Sequence, residues 1–170
     1  SNRFQQAGQL TNHNIGNLFF ALATKYDGNF LNSITAFAQA VEAAFPVYPV
    51  TLELSDLCVE LENGDVIVGE DQIDRPTYDR SLRIKRAWLQ PVPKLLPKVK
   101  ETIEQAEVII LGPGSLYTSL IAALLVDSMK EAIAVSDAKL IYIAGNAYET
   151  MGETGPERLS DFVRELQLYL

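Results

Sequence analysis

Apolar residues recur at helical spacing over the first part of the chain and predict two amphipathic helices there. The first is expected over 14–24, with Asn12 or Asn14 available as its N-cap. The second is expected over 30–45, after the cap residue Asn29, and should end at Pro46. A doubly wound sheet would be expected to open with a strand and a glycine turn, so this beginning suggests a fragment of a longer fold.

The pattern then changes to the alternation of apolar and polar residues that is typical of a β-strand, over 57–62. Asn63-Gly64 follows, a dipeptide that favours a two-residue hairpin turn, and 65–69 is the expected return strand. Such a turn pairs Leu61 with Val66 and places the apolar side chains of both strands on one face. The segment predicts an antiparallel ribbon with one solvated side.

Short apolar strands alternate with amphipathic helices in the rest of the chain, which indicates a buried parallel sheet with helices on its faces. The expected order is a loop over 71–81, a strand over 82–89, a helix over 94–105, a strand over 107–111, helices over 115–126 and 128–135, a strand over 139–143, and a last helix on Leu159, Phe162, Val163 and Leu166. We therefore predict an α/β fold in a single domain over 1–170, with the hairpin and the strand after it as an insertion over 53–91.

Composition narrows the class of protein. The chain has 170 residues, 48% of them hydrophobic, enough for one sizeable core. Its net charge of −8 disfavours nucleic acid and anionic membranes as partners. A single cysteine excludes an internal disulfide, and no apolar window has the length of a membrane span. We expect a cytoplasmic protein and leave assembly into a homo-oligomer open.

The loop after the strand over 107–111 is the first candidate for chemistry, because ligands of open parallel sheets lie beyond the carboxyl ends of the strands. Gly112 and Gly114 let a ligand approach the backbone, and Ser115 can cap a helix whose first amides would face an anion. Tyr117 and Thr118 add hydroxyl groups. The spacing matches neither common phosphate-binding glycine motif, so an ordinary strand-to-helix turn is the simpler interpretation on spacing alone.

The loop after the strand over 139–143 is the second candidate. Its Asn146, Glu149, Glu153 and Thr154 could bind sugar hydroxyls or position a metal-bound phosphate, or could form a capped, solvated connection. His13 is the only histidine and could contact a ligand or help to cap a helix. One histidine cannot make a histidine-based metal site, so we predict no protein metal site, and the sequence leaves the catalytic residues, if the protein is an enzyme, unassigned.

Several stretches, taken together, resemble one superfamily in order and spacing, that of the gluconeogenesis factor (YvcK-like proteins) and 2-phospho-L-lactate transferase (CofD-like proteins). They are Arg3-Phe4, TNHNIGNL at 11–18, PVTL at 49–52, IKRAWLQP at 84–91, LGPGSLYTS at 111–119 and GET at 152–154. The stretch at 111–119 resembles the gluconeogenesis-factor branch in particular. The chain differs from the family pattern in lacking the opening GGGTG segment, so it is expected to be about the later two thirds of a family chain.

The resemblance implies a Rossmann-like sheet that binds a nucleotide. The ligand would be a UDP-sugar such as UDP-N-acetylglucosamine in the regulatory branch, which is linked to cell shape and carbon metabolism. The alternative is a transferase that moves a phospholactyl group from a GDP-type carrier to a deazaflavin precursor, with Mg²⁺ as its cofactor. The implied ligand-binding residues are Gly112, Gly114, Ser115, Tyr117, Thr118, His13 and Asn17, and Asn146 is added from the second loop.

Overall fold

The computed structural model describes residues 14–145 and 152–170 of the chain. The chain divides into two compact units, Ser1–Leu52 and Glu53–Leu170. His13 and Asn146 lie outside the described residues, so their predicted roles stay predictions. The single-domain organisation and the insertion over 53–91 likewise stay predictions.

The first unit contains two helices, α1 (Ile15–Asp27) and α2 (Phe30–Ala40). Both predicted asparagine caps are confirmed: the side chain of Asn14 accepts from the amide of Asn17, and that of Asn29 accepts from the amides of Leu31 and Asn32. Gly28 separates the helices in the left-handed conformation. The rings of four phenylalanines, Phe19, Phe20, Phe30 and Phe37, pack together between the helices.

The expected end of α2 at Pro46 was wrong, because the helix stops at Ala40. Glu42 adopts a left-handed conformation with φ of 52°, and the amide of Ala43 donates to the carbonyl of Ala38. These features form a Schellman-type C-terminus that satisfies the last carbonyls of the helix. The helix therefore ends at this backbone turn, before the chain reaches Pro46.

The second unit begins with a three-stranded antiparallel sheet of β1 (Asp56–Leu61), β2 (Val66–Val68) and β3 (Ile84–Gln90), in the order β2-β1-β3. The predicted hairpin and the strand after it are thereby confirmed. The sheet buries the side chains of Val59 and Leu61 completely. A short helix, α3 (Glu70–Asp74), occupies part of the segment that we expected to be a loop, and it buries Ile73 in the core.

The predicted register of the hairpin was wrong by one residue. Val66 pairs with Glu60, and Val68 pairs with Cys58. The amide of Leu61 donates to the carbonyl of Asp65, so the loop has an extra residue with Gly64 at a φ of 91°. Because a one-residue shift exchanges the faces of a strand, Val66 and Val68 are 52% and 46% exposed instead of buried.

The parallel part of the fold is formed by β4 (Val108–Leu111) and β5 (Lys139–Tyr142), which pair in parallel over their full length. The elements around it are α4 (Pro97–Glu104), a π-helical segment (Leu116–Ile121) that continues as α5 (Ala122–Leu124), α6 (Met129–Val135) and α7 (Leu159–Tyr169). A mixed α/β fold with a parallel sheet and an antiparallel hairpin is thus confirmed. Three of the five described strands belong to the antiparallel sheet.

The parallel strands are less buried than their apolar sequences predict. Val108 is 49% exposed and Ile110 is 57% exposed. Full burial of such strands requires cover on both faces, and a pair of strands shields little of its own surface. The centre of the core lies elsewhere in this unit, on β1, α3 and the π-helical segment, where Val59, Leu61, Ile73, Leu116 and Ile121 are almost fully buried.

None of the helices in the described ranges is long and apolar enough to cross a membrane.

Candidate functional site

A large cleft lies within the second unit, beside the loops that follow β4 and β5. Its volume is about 1070 Å³. The position agrees with the rule that ligands of parallel sheets bind beyond the carboxyl ends of the strands. Its lining residues include Arg80, Ser81, Arg83, Pro113, Gly114, Ser115, Leu116, Tyr142, Ala144, Gly145, Glu153, Thr154, Glu157, Leu159 and Phe162.

One side of the cleft, which we call the glycine wall, is formed by Pro113–Leu116. Gly112 enters this wall with φ of 87°, and a Cβ atom there would lie 2.6 Å from the carbonyl oxygen of Ile143. Glycine is required at this position because the loop after β4 passes directly against the end of β5. The role of Gly112 is therefore to bring the two loops together.

Ser115 lies immediately before the π-helical segment, but its side chain makes no capping hydrogen bond. The capping role that we predicted for the Ser115 side chain was therefore wrong. Its carbonyl instead accepts from the amides of Ser119 and Leu120. The first amides of the segment need another acceptor, since the start of a helix leaves its donors without intrahelical partners.

Glu153, from the loop after β5, supplies that acceptor. The amide of Tyr117 donates to its Oε1 at 2.9 Å, and the amide of Thr118 donates to its Oε2 at 3.0 Å. A carboxylate at the start of a helix is favoured by the helix dipole as well as by these bonds. Burial raises the pKa of Glu153 above the usual range of a glutamate, although the amide hydrogen bonds act in the opposite direction.

Tyr117 is almost fully buried, and its hydroxyl donates to Oε1 of Glu165 on α7 at 2.9 Å. Desolvation, followed by the nearby charge of Glu165, strongly raises the pKa of the Tyr117 hydroxyl. The side chain that we expected to face a ligand therefore anchors α7 to the glycine wall. Thr118 is half-buried, and its amide is already bonded to Glu153.

Another part of the lining, which we call the arginine wall, is formed by Arg80, Ser81 and Arg83. Arg83 donates from Nη1 to the carbonyl of Gly155 at 3.0 Å and from Nη2 to Oε1 of Glu157 at 3.1 Å. Arg80 is exposed and makes no ion pair with any residue that the structure describes. Tyr78 and Thr154 share a hydrogen bond of 3.0 Å between their hydroxyl groups, which holds Thr154 in the cleft lining.

Of the predicted ligand-binding residues, Gly114 and Ser115 line the cleft, whereas Gly112, Tyr117 and Thr118 lie behind its surface. Asn17 belongs to the first unit, where it lies exposed on α1. Arg80 and Arg83 line the cleft as well, but neither was among the predicted residues. Within residues 14–145 and 152–170, no group of three or more histidine, cysteine, aspartate and glutamate side chains could hold a metal ion.

Comparison with known proteins identifies the family. The model of the family described as 2-phospho-L-lactate transferase CofD matches residues 1–169. The chain belongs to the CofD family. The superfamily resemblance found in the sequence is thereby confirmed, and the family provides the context for the cleft.

Relatives of the chain carry the name gluconeogenesis factor. A Thermotoga maritima protein named after these factors is 39% identical over 170 residues, which is 100% of this chain and 52% of its own length. The gluconeogenesis factor of Bacillus subtilis is 36% identical over 99% of this chain and 52% of its own length. The chain thus spans about half the length of the curated relatives it matches.

A solved structure shares the fold of this chain. The crystal structure of a UPF0052 family member from Bacillus halodurans superimposes with a TM-score of 0.84 at 31% sequence identity. The match covers 99% of this chain and 53% of the other one.

Proposed function

We propose that this chain is the nucleotide-sugar-binding part of a cytoplasmic regulator related to the gluconeogenesis factors. A UDP-sugar such as UDP-N-acetylglucosamine binds in the cleft between the glycine wall and the arginine wall. The observation that carries this proposal is the cleft of about 1070 Å³ at the ends of the parallel strands. The regulated processes are carbon metabolism and cell shape, in keeping with the name of the relatives and the family resemblance.

The chemistry of the cleft suits a ligand with a sugar, a base and a diphosphate. Arg80 and Arg83 provide positive charge in a chain whose net charge is −8. Arginine is well suited to phosphate because its planar guanidinium presents several donors at once. Leu159 and Phe162 add apolar surface against which a base can pack.

A binding role without catalysis is favoured by the state of the described carboxylates that line the cleft. Glu153 is bonded to backbone amides, and Glu157 forms an ion pair with Arg83. A general base has to be within reach of the proton that it removes and has to have a lone pair available for it. Both carboxylates are instead held by groups of the protein itself, which favours a structural role for them.

Isothermal titration of this chain with UDP-N-acetylglucosamine and with GDP tests the proposal. We expect binding of the UDP-sugar and its loss in Arg80→Ala, while Arg75→Ala is the matched control. Arg75 forms an exposed ion pair with Asp71 on α3 and does not line the cleft, so its removal leaves binding unchanged. Ser115→Asp adds a negative charge at the glycine wall and is expected to abolish binding with the fold intact. If neither nucleotide binds, or if Arg80→Ala binds as well as Arg75→Ala, the proposal is wrong.

The alternative is a 2-phospho-L-lactate transferase, and it is favoured by the family description that matches residues 1–169. Such a reaction can proceed by positioning and charge stabilisation, so the engaged carboxylates do not exclude it. The described residues do not form a ready-made magnesium site, because the carboxylate of Glu153 is held by backbone amides and Glu157 is paired with Arg83. Formation of the phospholactyl product from a GDP-type carrier and a deazaflavin alcohol, with Mg²⁺ present, would decide for the transferase.

A further inference from the structure

The start of the π-helical segment has the character of an anion site. Backbone amides that begin a helix point outward without intrahelical partners, and they attract phosphate or carboxylate groups. In this chain two of these amides, those of Tyr117 and Thr118, already donate to the two oxygens of Glu153. A single carboxylate from another loop therefore takes up the donors that a phosphate would need.

We propose that Glu153 is a positioning residue that replaces the phosphate at this turn, so that the phosphates of the ligand bind at the arginine wall instead. The first half of this statement concerns the chain alone. The second half rests on the proposed function, since it needs a phosphate-bearing ligand in the cleft.

The contacts around Glu153 support a fixed position for its carboxylate. It connects the loop after β5 to the loop after β4, and the close approach at Gly112 joins the same two loops. Behind the turn, the buried Tyr117 side chain is held by Glu165 on α7. A phosphate could reach the two amides only by displacing a carboxylate that both of them already hold.

Charge favours the same arrangement. A phosphate beside the Glu153 carboxylate would bring two negative groups together at one turn, which is unfavourable in a partly buried site. The arginine wall has the opposite charge, because Arg80 makes no ion pair within the described part of the chain and Arg83 keeps part of its side chain exposed. Gly114 and Ser115 also line the cleft, so a ligand bound there would lie near their backbone.

The test of the first half uses inorganic phosphate as the probe and Glu153→Ala as the variant. Removal of the carboxylate leaves the Tyr117 and Thr118 amides without their acceptor, so the variant is less stable than the unmodified chain and gains affinity for phosphate. We expect phosphate to raise the midpoint of thermal unfolding in Glu153→Ala and to bind it roughly tenfold more tightly than it binds the unmodified chain. If the Glu153 side chain had only a structural role, free phosphate would not restore the stability that Glu153→Ala loses.

Glu157→Ala is the matched control, because it removes a carboxylate that also lines the cleft but that bonds to Arg83 and not to the turn. In Glu157→Ala, phosphate should bind at the Tyr117 and Thr118 amides no more tightly than in the unmodified chain. The ¹⁵N NMR resonances of these two amides report this binding. If Glu153→Ala does not fold, Glu153→Gln serves in its place, since it keeps the volume and one acceptor oxygen. Equal phosphate responses of the unmodified chain and the Glu153 variant would overturn the proposal.

The second half is tested by titrating the unmodified chain with UDP-N-acetylglucosamine and following the same amide resonances. We expect the Tyr117 and Thr118 amides to keep their bond to Glu153, and their chemical shifts to move less than those of Gly114 and Ser115. Displacement of Glu153 by the ligand would overturn this half. Absence of any binding would refute the proposed function and leave the phosphate result for Glu153→Ala standing by itself.

Discussion

The two sides of the cleft differ in how firmly their polar groups are engaged. Next to the glycine wall, the amides of Tyr117 and Thr118 donate to Glu153, and the buried Tyr117 hydroxyl donates to Glu165. On the arginine wall, Arg80 has no ion pair among the described residues, and the ion pair of Arg83 is about half exposed.

This contrast separates the groups that stabilise the fold from the groups that remain available to a ligand in the same cleft. Groups that are mutually satisfied and buried stabilise the fold, and breaking them leaves unpaired partners behind. Exposed charged groups contribute little to stability but remain available to a ligand. Substitutions at the contacts that support the glycine wall, those of Gly112, Tyr117 and Glu153, should therefore lower the free energy of unfolding, and substitutions in the arginine wall should lower affinity.

The largest effect is expected for Gly112→Ala. The left-handed backbone is unfavourable for alanine, and the new Cβ would lie 2.6 Å from the carbonyl oxygen of Ile143. We expect a loss of more than about 2 kcal/mol in the free energy of unfolding, measured by urea denaturation. Gly145→Ala is the control, because no atom of the described residues lies within 4 Å of its added Cβ. Equal stability of the two variants would mean that the loops after β4 and β5 are not in contact.

A smaller loss is expected for Tyr117→Phe, which removes the buried hydrogen bond to Glu165 and leaves that carboxylate without its donor. The cost should be about 1.5–3 kcal/mol in urea denaturation, as is typical of a hydrogen bond to a charged group. Tyr26→Phe provides the comparison, since Tyr26 is 96% exposed and its replacement should have little effect. A Tyr117→Phe variant that is as stable as the unmodified chain would contradict the role of Tyr117 as an anchor of α7.

The pH dependence of stability tests the role of Glu153, another of the contacts that support the glycine wall. A carboxyl group whose pKa is raised by folding favours its protonated form in the folded state, so its contribution is fully present below the usual glutamate pKa of 4.5 and is lost as pH rises through the raised pKa. We therefore expect the difference in unfolding free energy between the unmodified chain and Glu153→Gln to decrease over that window. A difference that increases with pH would show that the pKa of Glu153 is lowered.

The smallest loss of stability is expected for Arg83→Ala. Its ion pair with Glu157 joins side chains that are 48% and 62% exposed, and exposed pairs contribute about 0.2–1 kcal/mol. Calorimetry should nevertheless show clearly weaker binding of UDP-N-acetylglucosamine to Arg83→Ala. The control Arg75→Ala should bind it as the unmodified chain does. A loss of stability as large as that of Gly112→Ala would place Arg83 in the structural part of the site.

Much of the fold was predictable from local rules in the sequence. Asn14 and Asn29 cap their helices through short-range bonds, and Pro97 begins α4 as proline at a first helical position does. The parallel pairing of β4 and β5 followed from apolar strands separated by helices. Each of these features is decided by a few neighbouring residues.

The features that were missed depend on contacts that sequence spacing does not encode. The hairpin register depends on the loop that closes between Leu61 and Asp65, and not on the Asn63-Gly64 dipeptide alone. Glu153 reaches the turn at Tyr117 from 36 residues away, so the capping group could not be found by searching near Ser115. Arg80 and Arg83 gained importance only when the fold placed them in the lining of the same cleft as Gly114.

The most direct test of the central claim is a residue-resolved titration of the ¹⁵N-labelled chain with UDP-N-acetylglucosamine. The account predicts the largest shifts at the Arg80 side chain and at the amides of Gly114 and Ser115, with the amides of Tyr117 and Thr118 nearly unchanged. The account would be contradicted if the ligand left Arg80 unaffected, or if the largest shifts fell on the Tyr117 and Thr118 amides.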